Sequence, residues 1–377
     1  MAAFSLRNIF RLGLKELRSL AADKVLLGLI VWAFSGAIYE AATGVSQQLN
    51  NAPVAIVDED NSPLSARLAG ALYPPYFRRP ELIGLEEVDD AMNRNLYSFV
   101  LVIPGHFQRD ISAGRKPEVQ LNIDATVISQ AFIGASYIEN IANGEVGEFL
   151  TGRRASEDTP IRLTTRVRFN PNLTGVWFGG VMEAINNVTM LTIILVGAAF
   201  IREREHGTIE HLLVMPLRPF EIMIAKIWAN SLAVLVGVAF ALLVMVKEVL
   251  QVPIAGSVTL FLTAAIFYLF SAASIGIFLG TLARSMPQLG LLIIITIVPL
   301  QLLSGGVTPQ ESMPLAIRNI MAATPTTYFV RLAQGILYRG AGFDVIWPDL
   351  LAMTGVGACF FTVALIRFRK AVMQTQV

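Results

Sequence analysis

The sequence predicts an α-helical membrane protein of six spans, with a small α/β domain inserted after the first span. Three observations carry that reading. The chain is 54% hydrophobic and only 15% charged, with a mean hydropathy of +0.59, whereas a soluble protein carries about 25% charged residues. Six apolar runs each approach the length of about 20 residues that a helix needs to cross a bilayer. Residues 45–174, between the first and second runs, have ordinary soluble composition.

The runs are 25–44, 177–200, 222–246, 257–282, 288–307 and 348–367. Basic residues at the membrane flanks mark the cytoplasmic side. Arg7, Arg11, Lys15, Arg18 and Lys24 precede the first run, and Arg367, Arg369 and Lys370 follow the last. Both ends are therefore expected in the cytoplasm, together with Arg202, Arg204, Arg218 and Arg284. Lys247, Arg318, Arg331 and Arg339 fall outside as exceptions. The first span reads as a retained signal-anchor, because no small-residue cleavage pattern follows it.

Residues 1–24 come first. Phe4, Ile9, Leu12, Leu17 and Leu20 line one side of a helix, and Arg7, Arg11, Lys15 and Arg18 the other. Such a basic amphipathic helix lies in the membrane interface, either as a topology signal or as a partner contact. In the inserted domain, PVAIVDEDNSPLSARLAGAL reads as strand, turn and helix. YSFVLVIP and VQLNID read as further strands, FQRDISAG as a short helix, 126–150 as helix, and IRLTTRVRFN as a half-exposed strand. Asp58, Glu59 and Asp60 resemble a metal loop on paper, but these residue types also favour turns, and the turn reading is preferred. Residues 304–345, broken by Gly305, Gly306, Pro309, Pro314 and Pro325, read as short helices that either lie at the outer surface or dip back inward. Irregular backbone at that depth must be buried in protein or line a water-filled cavity.

Several chemistries are excluded. None of the six lysines follows a glycine, so the chain has no phosphate-cradling loop of the P-loop kind. The single Cys359 permits no internal disulfide, and His106, His206 and His211 are scattered. LSGGV at 303–307 reads as a helix-breaking turn. No catalytic residue and no metal ligand is expected, and no nucleic-acid partner.

The most unusual stretch is IREREHGTIEHLLVMPLRPFE, residues 201–221. It sets a short, highly charged, helix-prone segment between two spans, and Pro216 and Pro219 stop the helix. Glu203, His206 and Glu210 are spaced to share a face, beside an apolar patch of Ile209, Leu212 and Leu213. The expectation is a stiff knob in the cytoplasm suited to another protein's groove; the rival reading is a solvated turn. Within span two, Glu183 is followed by Asn186, Asn187 and Met190 at helical spacing. A carboxylate in a bilayer faces the bundle interior, so this stripe either seals helix to helix or lines a path, with Glu40 and Gln301 as neighbours. Gly276 and Gly280 form a small-residue pair suited to helix packing.

The segment closely resembles the signature E-R-E-x-G-T-x-E-x-L-L-V-x-P of the permease subunits of ABC-2 type transporters. The match runs through Glu203, Arg204, Glu205, Gly207, Thr208, Glu210, Leu212, Leu213, Val214 and Pro216. FNPNLTGVWFGGVMEAINNVTML, LARSMPQLGLL and ATPTTYFVRLAQGILYRG extend the likeness toward a bacterial exporter subgroup, and it covers essentially the whole chain. The resemblance implies that 202–216 is the coupling helix and 1–24 the connecting helix of an exporter permease in the bacterial inner membrane. It implies a separate ATPase subunit that binds ATP and magnesium, and a second permease, identical or a paralogue. It further implies a HlyD-like membrane fusion protein. The expected cargo is hydrophobic or amphipathic. A gradient-driven transporter and a membrane sensor are the alternatives.

Overall fold

The computed structural model describes residues 5–44, 49, 51–94, 96–124, 128–151, 175–205 and 217–375. The chain forms two compact units, one of residues 1–44 and 176–377, the other of residues 45–175.

The first unit is helical. Helix α1 is Leu6–Ala22, and the first span follows as α2 (Lys24–Ala33) and α3 (Gly36–Thr43). Asp23 makes the junction between α1 and α2: its Oδ1 accepts the backbone N–H groups of Val25 and Leu26, capping α2. The break at Phe34–Ser35 was not legible in an apolar run read as one helix from 25 to 44. Phe34 is buried there against Gly237 of span three, where no side chain would fit.

The second unit is α/β. After β1 (Val54–Asp58) come α4 (Pro63–Ala71), β2 (Glu81–Leu82), α5 (Val88–Asn93), β3 (Phe99–Ile103), α6 (Phe107–Ser112), β4 (Gln120–Ile123) and α7 (Ile128–Thr151). The sheet order is β2-β1-β3-β4; β1 is parallel to β2 and β3, and β4 is antiparallel to β3. Alternate residues of a strand face opposite sides. Val54, Ile56, Phe99, Leu101 and Ile103 accordingly enter a core with α4, α6 and α7, while Ala55, Val57 and Val100 enter a second with Val88. This two-sided burial explains why β1 and β3 read as nearly continuous apolar runs. Asp58 and Asp60 are turn residues. Asp58 accepts the N–H groups of Asp60 and Asn61 and the hydroxyl of Ser65, and Asp60 accepts the N–H of Gln108. The strand expected over 161–170 lies outside the described residues.

Five more spans complete the first unit. Helix α8 (Gly175–Glu205) is span two. Helix α9 (Pro219–Phe240) is span three and continues to Val249 as π-helix. Helix α10 (Val258–Leu282) is span four and α11 (Met286–Leu303) span five. Helices α12 (Leu315–Ala322) and α13 (Pro325–Arg339) precede span six, α14 (Phe343–Thr375). Among the described residues, six helices are thus long and apolar enough to cross a membrane.

Spans two and four are the most enclosed; spans one, five and six keep mostly exposed apolar faces. The two enclosed helices approach closely because both carry glycine at the contact. A Cβ on Gly276 would stand 2.8 Å from the Ile193 carbonyl oxygen and 3.3 Å from the Gly197 nitrogen, the small-residue packing expected of that position. Tyr268 of span four is fully buried. Its hydroxyl lies 2.6 Å from Thr189 Oγ1 of span two and 3.2 Å from Thr326 Oγ1 of α13, and its ring stacks on Phe329. Helix α13 buries Phe329, Val330, Ala333, Ile336 and Leu337 on one face. Residues 325–339 are therefore part of the bundle core, whereas α12 leaves Leu315 and Ile320 exposed.

Candidate functional site: an ion cluster at the root of the charged segment

Helix α8 carries span two out to Glu205, so Glu203, Arg204 and Glu205 still belong to that helix. Gly207, Thr208, Glu210, Leu213 and Pro216, with the rest of 206–216, lie outside the described residues.

Glu203 turns inward. Its carboxylate reaches Lys226 Nζ of span three at 2.9 Å and Lys15 Nζ of α1 at 3.6 Å, and its side chain is only 14% exposed. The expectation set Glu203 on an outward face with His206 and Glu210; Glu203 itself faces inward, while His206 and Glu210 lie outside the described residues. The physical reason is Lys226, whose side chain is 2% exposed. A buried ammonium is tolerated only when paired and hydrogen-bonded, and it has three donors. Lys226 meets three acceptors: Glu203 Oε2 at 2.9 Å, Glu16 Oε1 of α1 at 2.9 Å, and the Ala199 carbonyl oxygen at 3.0 Å. Two lysines and two carboxylates balance. A cavity of about 230 Å³ opens beside them, also lined by Ser19, Arg202 and Asn230.

Among the described residues, the cluster is joined by two further attachments that hold α1 on span three. Glu221, fully buried in the first turn of α9, accepts the N–H of Ser5 at 2.8 Å and that of Arg218 at 3.0 Å. A carboxylate at a helix N-terminus satisfies otherwise unpaired donors and meets the positive end of the helix dipole. Trp228 donates its indole N–H to the Ile9 carbonyl at 3.2 Å and stacks on Phe10. Its ring occupies the space beside Gly13 that any side chain would need.

The end of span two reaches further. Arg202 lies 3.8 Å from Asp23, the cap of span one. Glu205 Oε1 accepts the N–H of Met286, at the start of span five, at 2.7 Å. Phe200 packs edge-on against Phe368 of span six. The last two turns of span two therefore contact α1, the start of span one, and spans three, five and six.

The intramembrane stripe is divided by the structure. Asn187 is buried and donates to the Ala33 carbonyl at 2.7 Å. That carbonyl ends α2 at the break in span one, so Asn187 holds two helices together. Glu183 is half-buried and stands one turn before Asn187 on the same helix. Asn186 is half-buried, and Gln301 of span five offers its carbonyl to Ser304.

Lys226, Glu16, Glu221 and Trp228 were missed in the sequence. A signal existed for the first: Lys226 is an ionisable residue inside an apolar span, and such residues pair within the bundle. Its partners lie 210 and 23 positions away and carry no mark.

The family model for ABC-2 family transporter protein matches residues 25–366. The chain belongs to the ABC-2 transporter family. This permease is 56% identical over 367 residues to "Inner membrane transport permease YhhJ" of Escherichia coli (strain K12), covering 97% of this chain and 98% of that one. It is 27% identical over 362 residues to "Probable multidrug ABC transporter permease YbhR" of the same organism, covering 95% and 97%. Over 275 residues, 72% of each chain, it is 23% identical to "Probable multidrug ABC transporter permease YbhS". The permease is thus a multi-pass membrane protein and a transport subunit, and its family implies an ABC ATPase partner.

Proposed function

We propose that this permease works in the bacterial inner membrane and couples ATP hydrolysis by a separate subunit to export of a hydrophobic or amphipathic molecule. ATP and magnesium belong to that partner. Residues 202–216 dock on it, and the 45–174 domain faces away from the cytoplasm. Two permeases, identical or paralogous, complete the pore, and a HlyD-like fusion protein carries export onward. Names of the relatives, one an inner-membrane transport permease and two multidrug permeases, support this reading.

The single observation that carries the mechanism is Lys226 held between Glu16 and Glu203. When the partner ATPases close, the 202–216 segments are drawn together. Glu203 passes that displacement through Lys226 to span three and α1, and Glu205 passes it to span five. Spans two and three tilt as a pair. Glu183 and Asn186, with Gln301, line the outer path, while Asn187 keeps span one attached to span two.

The test is affinity purification of the tagged permease from its native membrane, with identification of bound proteins and vanadate-sensitive ATPase activity. A Walker-motif subunit that co-purifies, and that is lost or no longer stimulated with Glu210→Lys, supports the reading. Recovery of the permease without any ATPase under mild crosslinking refutes it.

A further inference from the structure

An open groove of about 670 Å³ runs between α1, span one and span three. Its walls are apolar and include Leu17 of α1, Leu27, Val31 and Phe34 of span one, and Leu232 and Val236 of span three. Val31 and Val236 are 60% and 63% exposed. The surface of a spanning helix normally meets lipid as a convex rod. Here α1 packs on both neighbours and makes the surface concave, which offers one chain contact on three sides.

Two cations stand within one helical turn of residues that line the groove. Arg18 stands three residues before Ala21, and Lys24 three before Leu27; Ala21 and Leu27 both line the groove, and residues so spaced share a helix face. Both cations are exposed, and neither has a carboxylate partner among the described residues. The nearby carboxylates are already engaged: Glu16 by Lys226, and Asp23 by Arg202 and the first amides of α2. Long basic side chains extend their charge to the headgroup level while their stems lie on apolar surface.

We propose that this groove is a binding site for an anionic phospholipid of the leaflet that carries α1. One acyl chain lies along Leu27, Val31 and Val236, and the phosphate sits between Arg18 and Lys24. The Glu221, Trp228 and Lys226 attachments hold α1 in place beforehand, so little ordering is needed on binding.

The experiment reconstitutes the full-length permease in nanodiscs of phosphatidylcholine with phosphatidylglycerol as the minor lipid. It is then transferred to mild detergent, and retained lipid is counted by native mass spectrometry. Wild-type protein should keep one phosphatidylglycerol, enriched about thirtyfold over its share, as expected of two basic residues near a membrane surface. Arg18→Gln with Lys24→Gln should abolish the enrichment. Val236→Phe, which fills the groove from a lipid-facing position, should abolish retention. Equal retention of both lipids by wild type overturns the proposal, as does enrichment that survives either change. Disulfide formation between two copies through Val236→Cys in a Cys359→Ser background also overturns it, because protein would then cover the groove.

Discussion

Lys226 Nζ stands 2.9 Å from Glu16 and 2.9 Å from Glu203, joining three helices through one buried ammonium. Lys226→Met leaves two poorly solvated carboxylates facing each other. Removing one partner of a buried ion pair costs about 3–5 kcal/mol, so a marked fall in apparent Tm is expected in detergent. The triple change Lys226→Met, Glu16→Gln, Glu203→Gln should recover most of that stability, since the one charge left over, Lys15, is solvent-exposed. If the joint transmits motion, the triple variant folds yet exports poorly. Efflux equal to wild type in the triple variant would remove the cluster from the coupling route.

Asn187→Leu should loosen span one from span two. Interhelical hydrogen bonds inside membranes contribute about 0.6–1.7 kcal/mol, and the Ala33 carbonyl at the helix break accepts the Asn187 amide at 2.7 Å. Thermal unfolding should shift down modestly. No shift at all would mean that the break in span one holds itself.

Tyr268 separates two contributions. Tyr268→Phe keeps the stack on Phe329 but loses the hydroxyl bonds to Thr189 and Thr326, a loss of about 0.5–1.5 kcal/mol for each bond. Tyr268→Ala empties the site and costs about 3–5 kcal/mol, the range for large aromatic truncations. Similar unfolding curves for the two variants would contradict the described packing.

Gly13→Val should prevent α1 from seating, because the Trp228 ring fills the space beside Gly13. Trp228→Ala makes room and should rescue it. The readout is the accessibility of a cysteine at Ile9, which is buried in wild type. Protection that persists in Gly13→Val would show that α1 docks by other means.

Asp60 supplies a pH dependence in the α/β unit. Burial acts to raise its carboxyl, but hydrogen bonds from Ser62 and the N–H groups of Gln108, His106 and Phe107 outweigh it and hold it below the ordinary 3.8. A depressed folded value favours the charged form, so the contribution is complete above 3.8 and is lost as pH falls through the folded value. Hydrogen-exchange protection of the Gln108 amide should weaken on acidification. Asp60→Asn should flatten that dependence; an unchanged profile would assign it elsewhere.

Much was legible in the sequence because it depends on neighbours along the chain. Six spans, the amphipathic face of α1, and the strands at 54–58, 99–103 and 120–123 follow from apolar period and length. Family membership followed from a contiguous signature around Glu203 to Pro216. The two-residue strand β2 and the short α5 escaped notice because neither is long enough to show a period.

What the sequence by itself determined was therefore the class, the count of spans and the family, all properties of local pattern. Tertiary structure alone decided where the charges go. Glu203 looked like a surface residue because its neighbours in the chain are charged, yet it faces inward because a lysine in another helix had to be neutralised. The break in span one, the seating of Trp228 over Gly13 and the assignment of Asn187 to Ala33 are of the same kind. Each satisfies a donor, an acceptor or a volume left over by a distant segment, and no local pattern records what a distant segment leaves unsatisfied.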